Sequence, residues 1–195
     1  MLGFRKKVMP VQTYGSPVLK TLAAPVAAIS TAIMDLAEQM IETMFAFDGI
    51  GLAAPQVGVS LRLITLGLPV ADTEDISPGE CMLLPMMPLA MVNPVIISFG
   101  SEKTICEEGC LSVPDIYAQV ERPSRIIIQA EILHHGPVTV ECGGLLARCL
   151  QHEIDHLNGK LFVERVEAET MTEVKPQLVK LFDFGQKNNF QRSKR

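Results

Sequence analysis

At 195 residues the chain is long enough to bury one sizeable core, and it is read as a single domain over 1–195. Apolar residues make up 48% and charged residues 20%, which excludes an intrinsically disordered chain; the net charge of −5 gives no reason to expect DNA as a partner. Five cysteines are an odd number, and the opening MLGFRKKVMP lacks the apolar run of a signal peptide. Both features predict reduced thiols in the cytoplasm rather than a disulfide framework.

The first predicted element is a helix in STAIMDLAEQMIETMFAFDGIG, where Ile33, Leu36, Ala37, Met40, Ile41 and Met44 follow helical spacing. Ser30 or Thr31 is expected to cap it and Asp48-Gly49 to end it. GIGLAAPQVGVS follows, then a predicted strand, LRLITLGL. Residues 81–101 carry no charge and are long enough to cross a bilayer. Pro85, Pro88 and Pro94 argue against that, because a helix in lipid must satisfy every backbone group internally. A Met-rich loop leading to a strand near 95–99 is expected instead, with no membrane partner. SRIIIQAEIL and PVTVEC, separated by the turn signal HHGP, predict a hairpin. GGLLARCLQHEIDHLNG predicts a second helix closed by Asn158-Gly159, and a third helix is expected from about Thr172. Helices and strands are interspersed without βαβ alternation. The expected fold is therefore α+β, with antiparallel sheets packed around a central metal-binding helix, an N-terminal helix and a C-terminal helix.

The second helix carries the chemistry. His152 and His156 are four residues apart, so they lie on one face one turn apart, with Leu145 and Cys149 on the same face. Leu146, Leu150 and Leu157 point elsewhere and are assigned to the core. Glu153 lies beside His152, where His-Glu-x-x-His chemistry uses a glutamate as general base towards a water activated at a metal. Two imidazoles need a third ligand. Glu164, Glu167 and Glu169 lie downstream, and no histidine follows His156. Cys81, Cys106, Cys110, Cys142 and Cys149 are the other candidates, although a single cysteine is most often a small buried hydrophobe. Cys110 has a distinctive setting in CEEGCLSVPDIY, where Gly109 lets backbone approach a bound group. A thiolate with two imidazoles leaves a coordination position open for water.

Three segments in this order, GIGLAAPQ (49–56), EGCLS (108–112) and QHEIDH (151–156), resemble the signature motifs of the peptide deformylases. The resemblance extends over YGSPVLKTLAAPV and GLLARCLQHEIDHLNGKLFVERV, roughly from Val11 to Val166. It implies removal of the formyl group from the N-terminal methionine of newly made polypeptides. It implies that Cys110, His152 and His156 bind one divalent metal ion, Fe²⁺ in the cell, with Zn²⁺, Ni²⁺ or Co²⁺ able to substitute. Glu153 would be the general acid/base, and Gln56 with the backbone N–H of Leu111 would stabilise the oxyanion. Ile50, Cys106, Leu145 and Cys149 are expected to form the apolar methionine pocket, with Gly51, Glu108 and Gly109 also in contact with substrate. Glycines at 49 and 51 would let an extended peptide pair as an added strand.

Two other functions fit parts of the sequence. One is a metallopeptidase using a downstream glutamate; the other is a non-catalytic formyl-peptide-binding module, which would bind peptide without releasing formate. The stretch 67–90 is expected to fold onto its own domain, with an edge of the substrate groove or a dimer contact as the alternatives. The end of the chain, QKNNFQRSKR (186–195), is basic, and in some deformylases a C-terminal helix docks on the ribosome.

Overall fold

The computed structural model describes residues 8–69 and 76–192, with the side chains of the last helix described as far as Asp183. The Ser30 hydroxyl accepts from the Ile33 N–H and starts α1 (Thr31–Ala46), which turns Ile33, Ala37, Met40 and Met44 inward. Asp48, at φ 55, redirects the chain into β1 (Gly51–Ala53); a 3-10 turn over Ala54–Val57 then leads to β2 (Leu63–Leu66). Next come α2 (Pro78–Leu83), a 3-10 turn at Leu84–Met86 and β3 (Leu89–Phe99). Two hairpins follow, β4 (Lys103–Cys110) with β5 (Val113–Pro123), and β6 (Ile126–Ile132) with β7 (Gly136–Cys142). The chain ends in α3 (Gly144–Leu157), a 3-10 turn at Phe162–Arg165 and α4 (Ala168–Arg192).

All strand pairs are antiparallel. One sheet has five strands in the order β1-β2-β3-β6-β7, and the other is the β4–β5 pair. Both faces of the five-stranded sheet are covered at β2 and β3, which explains their nearly continuous apolar sequences. Leu63, Ala90 and Val92 point towards α1 and pack with Met40 and Met44. Ile64, Leu66 and Met91 point the other way and pack with Leu146, Leu150 and Leu157 of α3. A third cluster joins Val113, Ile116 and Val120 of β5 to Phe162, Val174 and Leu178. Thus α3 stands between the two sheets: Leu146, Leu150 and Leu157 face the larger one, and Arg148, His152 and Asp155 reach residues of the smaller one. This is the expected α+β architecture.

The differences are local. The Met-rich stretch is not a loop: Ser77 and Glu80 form a capping box that starts α2, and β3 begins at Leu89, before the predicted strand. A bulge at Asn93-Pro94, with Asn93 at φ 50, interrupts the alternation of β3. The β4–β5 hairpin lies where no strand was predicted. The last helix begins at Ala168 and runs through Pro176. Among the described residues, no helix is long and apolar enough to cross a membrane.

Candidate metal centre

Helix α3 sets His152 and His156 one turn apart, with ring centroids 5.1 Å from each other. Cys110, at the end of β4, brings its Sγ to 3.3 Å from His156 Nε2. The donor atoms of Cys110, His152 and His156 all lie within 4.8 Å of one another, the one such grouping of three or more His, Cys, Asp or Glu among the described residues. The other third-ligand candidates are elsewhere. Glu164 accepts from Lys20 Nζ at 2.6 Å and from the Leu161 N–H at 2.7 Å. Cys81 and Cys106 are exposed, and Cys142 and Cys149 are buried outside the cluster.

A buried ion network stands behind the histidines. His152 Nδ1 lies 3.0 Å from Glu108 Oε2, which leaves Nε2 for the cluster. Glu108 is gripped by Arg122 through two bonds of 2.6 and 2.9 Å and by Arg148 at 2.7 Å. Arg122 continues to Asp155 at 2.8 Å, and Asp155 to Arg165. Burial alone would raise the Glu108 carboxyl, but hydrogen bonds from His152 and Arg122 outweigh it and hold the group well below the usual carboxylate range. For His152, burial works against the proton, yet Cys110 and Glu108 prevail and raise it. A sulfur and a carboxylate that favour a proton there favour a divalent cation for the same electrostatic reason. His156 is lowered by burial and by His152, so it stays a neutral donor. The donor set therefore fits a metal ion that accepts sulfur and nitrogen, such as Fe²⁺, Co²⁺, Ni²⁺ or Zn²⁺.

Glu153 is 4% exposed, and its Oε2 has no hydrogen-bond partner among the described residues, as is also true of His156 Nδ1. Burial raises its carboxyl to about 7, with His152 and Arg122 pulling the other way. Gly51 allows this placement, since a Cβ there would collide with the Glu153 carboxylate and the Cys149 sulfur. Gln56 is aimed by its own acceptor: Oε1 takes the Ala53 N–H at 2.8 Å, so the amide NH₂ points to Ser112 Oγ at 3.3 Å and Cys110 Sγ at 3.4 Å.

These groups open onto a cleft of about 770 Å³ between the edge strands β1 and β4. Ile50, Gly51 and Gln56 line one side; Glu108, Gly109, Cys110 and Leu111 line the other. Leu145, Cys149, His152 and Glu153 form the floor contributed by α3, while His156 lies behind them, 1% exposed. Cys106 is not in this cleft but lines a neighbouring cavity. Glu108 lines the cleft, yet its carboxylate is occupied by His152, Arg122 and Arg148. No described residue of the 67–90 stretch lines the cleft. Sequence reasoning missed Ser112, Arg122, Arg148 and Asp155. The one available signal was two charged residues besides Glu153, Arg148 and Asp155, in a helix that carries Leu146, Leu150 and Leu157 for the core.

Hydrolysis of an amide with the help of a metal ion is the chemistry that this arrangement of donors, buried carboxylate and amide defines. The model of the polypeptide deformylase family matches residues 8–171. Peptide deformylase 2 of Gloeobacter violaceus is 46% identical over 174 residues, covering 89% of this chain and 86% of that protein. Among solved structures, a peptide deformylase from Legionella pneumophila is 35% identical with a TM-score of 0.75, covering 89% of this chain and 95% of that one. The Met-Ala-Ser-bound class I type b peptide deformylase from Acinetobacter baumannii is 41% identical with a TM-score of 0.72, covering 83% and 99%. The chain belongs to the peptide deformylases, metal-dependent enzymes that remove the N-formyl group from newly synthesised polypeptides.

Proposed function

We propose that Cys110, His152 and His156 hold the metal ion, Fe²⁺ in the cell, and that Glu153 is the acid/base of deformylation, acting on formyl-methionyl peptides in the cytoplasm. One observation carries this reading: three candidate metal donors converge beside a buried carboxylate whose Oε2 has no partner among the described residues. A divalent cation at such donors acidifies water and polarises a carbonyl oxygen. Glu153 takes a proton from the attacking water and returns it to the departing amine. The Gln56 NH₂, with its acceptor tied to Ala53, and the Leu111 N–H donate to the oxyanion. Leu145, Cys149 and Ile50 surround the methionine side chain, and Gly51 and Gly109 admit the extended backbone between β1 and β4. The tripeptide-bound Acinetobacter relative supports a peptide in this cleft.

The test is formate release from formyl-Met-Ala-Ser by protein prepared anaerobically with Fe²⁺. Wild type should turn over, Glu153→Ala should bind metal without turnover, and Cys110→Ala should lose both. No release from folded, metal-loaded wild type would overturn the reading. A contact between the basic end, 186–195, and ribosomal RNA would bring the enzyme to its substrates. Equal pelleting with ribosomes at low salt, with and without residues 186–195, would refute that part alone.

A further inference from the structure

Arg148 lies one helical turn before His152 and belongs to the walls of two cavities. One is the cleft. The other is a side cavity of about 350 Å³, lined beyond Arg148 by Thr104, Cys106, Pro123, Ser124 and Gly144. Glu107, Leu145 and Arg148 are common to both, so they form the partition. The Arg148 head is anchored across the gap between α3 and the β4–β5 sheet. Nη2 donates to Thr104 O at 2.8 Å and Thr104 Oγ1 at 3.1 Å; Nη1 donates to Glu108 Oε1 at 2.7 Å and Val120 O at 3.0 Å. Its aliphatic stem is thereby held as a bar between the spaces, 9% exposed as a residue. Beyond the bar lie a thiol, a proline ring, a glycine and two hydroxyls, with Leu145 and Glu107 at the shared rim; the thiol, the proline ring and the leucine offer apolar surface to methylenes.

We propose that Arg148 sets the length of the methionine pocket, and that the side cavity, a surface hollow parted from the cleft by this side chain, is an extension for the distal end of a longer unbranched apolar side chain at the first position. This rests on reading the cleft as the formyl-methionyl site. It also explains why Cys106, expected in the methionine pocket, lies outside it: the thiol is on the far side of the partition.

The experiment compares kcat/KM for formyl-Met-Ala-Ser and formyl-2-aminodecanoyl-Ala-Ser in wild type, Arg148→Ala and Arg148→Met. Arg148→Ala should raise the ratio of long to methionyl substrate by about tenfold or more, because added methylenes find space in place of a wall. Arg148→Met refills the space without the ion pair; it should keep the wild-type ratio, even if the lost contact to Glu108 lowers both rates. A role confined to holding Glu108 would slow both substrates alike in both variants, and an unchanged ratio in Arg148→Ala would overturn the proposal. If Arg148→Ala does not fold, Arg148→Ser gives the same reading with a hydroxyl left for Glu108. If the variant folds without turnover, calorimetric binding of the two unformylated peptides supplies the ratio. Wild type inactive on formyl-Met-Ala-Ser would bring down the cleft reading together with this one; active wild type with an unchanged ratio removes the partition alone.

Discussion

Gln56 has one polar end committed to structure and the other offered to the cleft. The Ala53 N–H fixes Oε1, and this decides which way the NH₂ points. On the proposed mechanism Gln56→Leu should retain metal and lower kcat by about 10²–10³-fold, the usual effect of losing one oxyanion donor. Metal content measured beside turnover checks this; loss of metal in step with activity would give Gln56 a ligand-holding role instead. Cys142 makes a different prediction. It is fully buried, and burial followed by the Glu80 and Glu141 carboxylates pushes its thiol up to about 12. Its pKa is raised in the folded protein, so the folded state keeps the proton. That stability is fully present below the unfolded value, about 8.5, and is lost as pH rises towards 12. Iodoacetamide at pH 9 should therefore modify exposed Cys81 and Cys106 and spare Cys142 until urea is added. The residues legible beforehand, His152, Glu153 and His156, needed only the period of one helix. Glu108 was read as a substrate contact because nothing in EEGC tells which distant arginines will take its carboxylate.

Helix α3 is braced on its two sides by different forces, leucines against the large sheet and ions against the small one. Arg122 is the hub of the ionic side. It is 1% exposed and grips Glu108 with a two-pronged contact while also reaching Asp155. Arg122→Ala leaves both carboxylates buried with fewer partners and should cost about 3–5 kcal/mol in urea unfolding. Arg122→Lys should recover only part of this, because an ammonium cannot reproduce the fork. Equal stability of Arg122→Ala and wild type would mean that water replaces the guanidinium without loss. The same arginine explains why the β4–β5 hairpin was not predicted. From Ile116 onwards β5 alternates inward as Ile116, Ala118, Val120 and Arg122, so a charged residue sits where the apolar pattern should continue. In β4 only Glu108 is buried and Cys110 is half-buried, so the strand shows no apolar periodicity at all. The start of α2 was legible in principle: Ser77-Pro-Gly-Glu80 is a capping box with proline at the first helical position. What hides it is length: α2 has only six residues, and prolines follow closely.

On the scale of the whole molecule, the Cys110–His152–His156 cluster lies at the junction of the two sheets; two of the apolar clusters are built without it, and Cys110 packs against the third from its edge. The first joins α3 to the large sheet, the second α1 to its other face, and the third α4 to β5. None of the buried members of these clusters is one of the three donors, so their packing does not rest on a bound ion. A structural zinc site, by contrast, supplies folding energy outright, and its domain unfolds when the metal is removed. Here chelation should abolish formate release and leave the far-UV circular dichroism unchanged at 25 °C. It should also lower Tm, because an ion that binds only the folded state adds stability by mass action, about 4 kcal/mol when free metal is 1,000 times its Kd. Melting curves with and without chelator, followed by return of activity on adding Fe²⁺ anaerobically, test both parts. Unfolding on chelation at 25 °C would mean that Cys110, His152 and His156 tie β4 to α3 more strongly than the leucines and the Glu108–Arg122 pair hold them, giving the ion a structural as well as a chemical role.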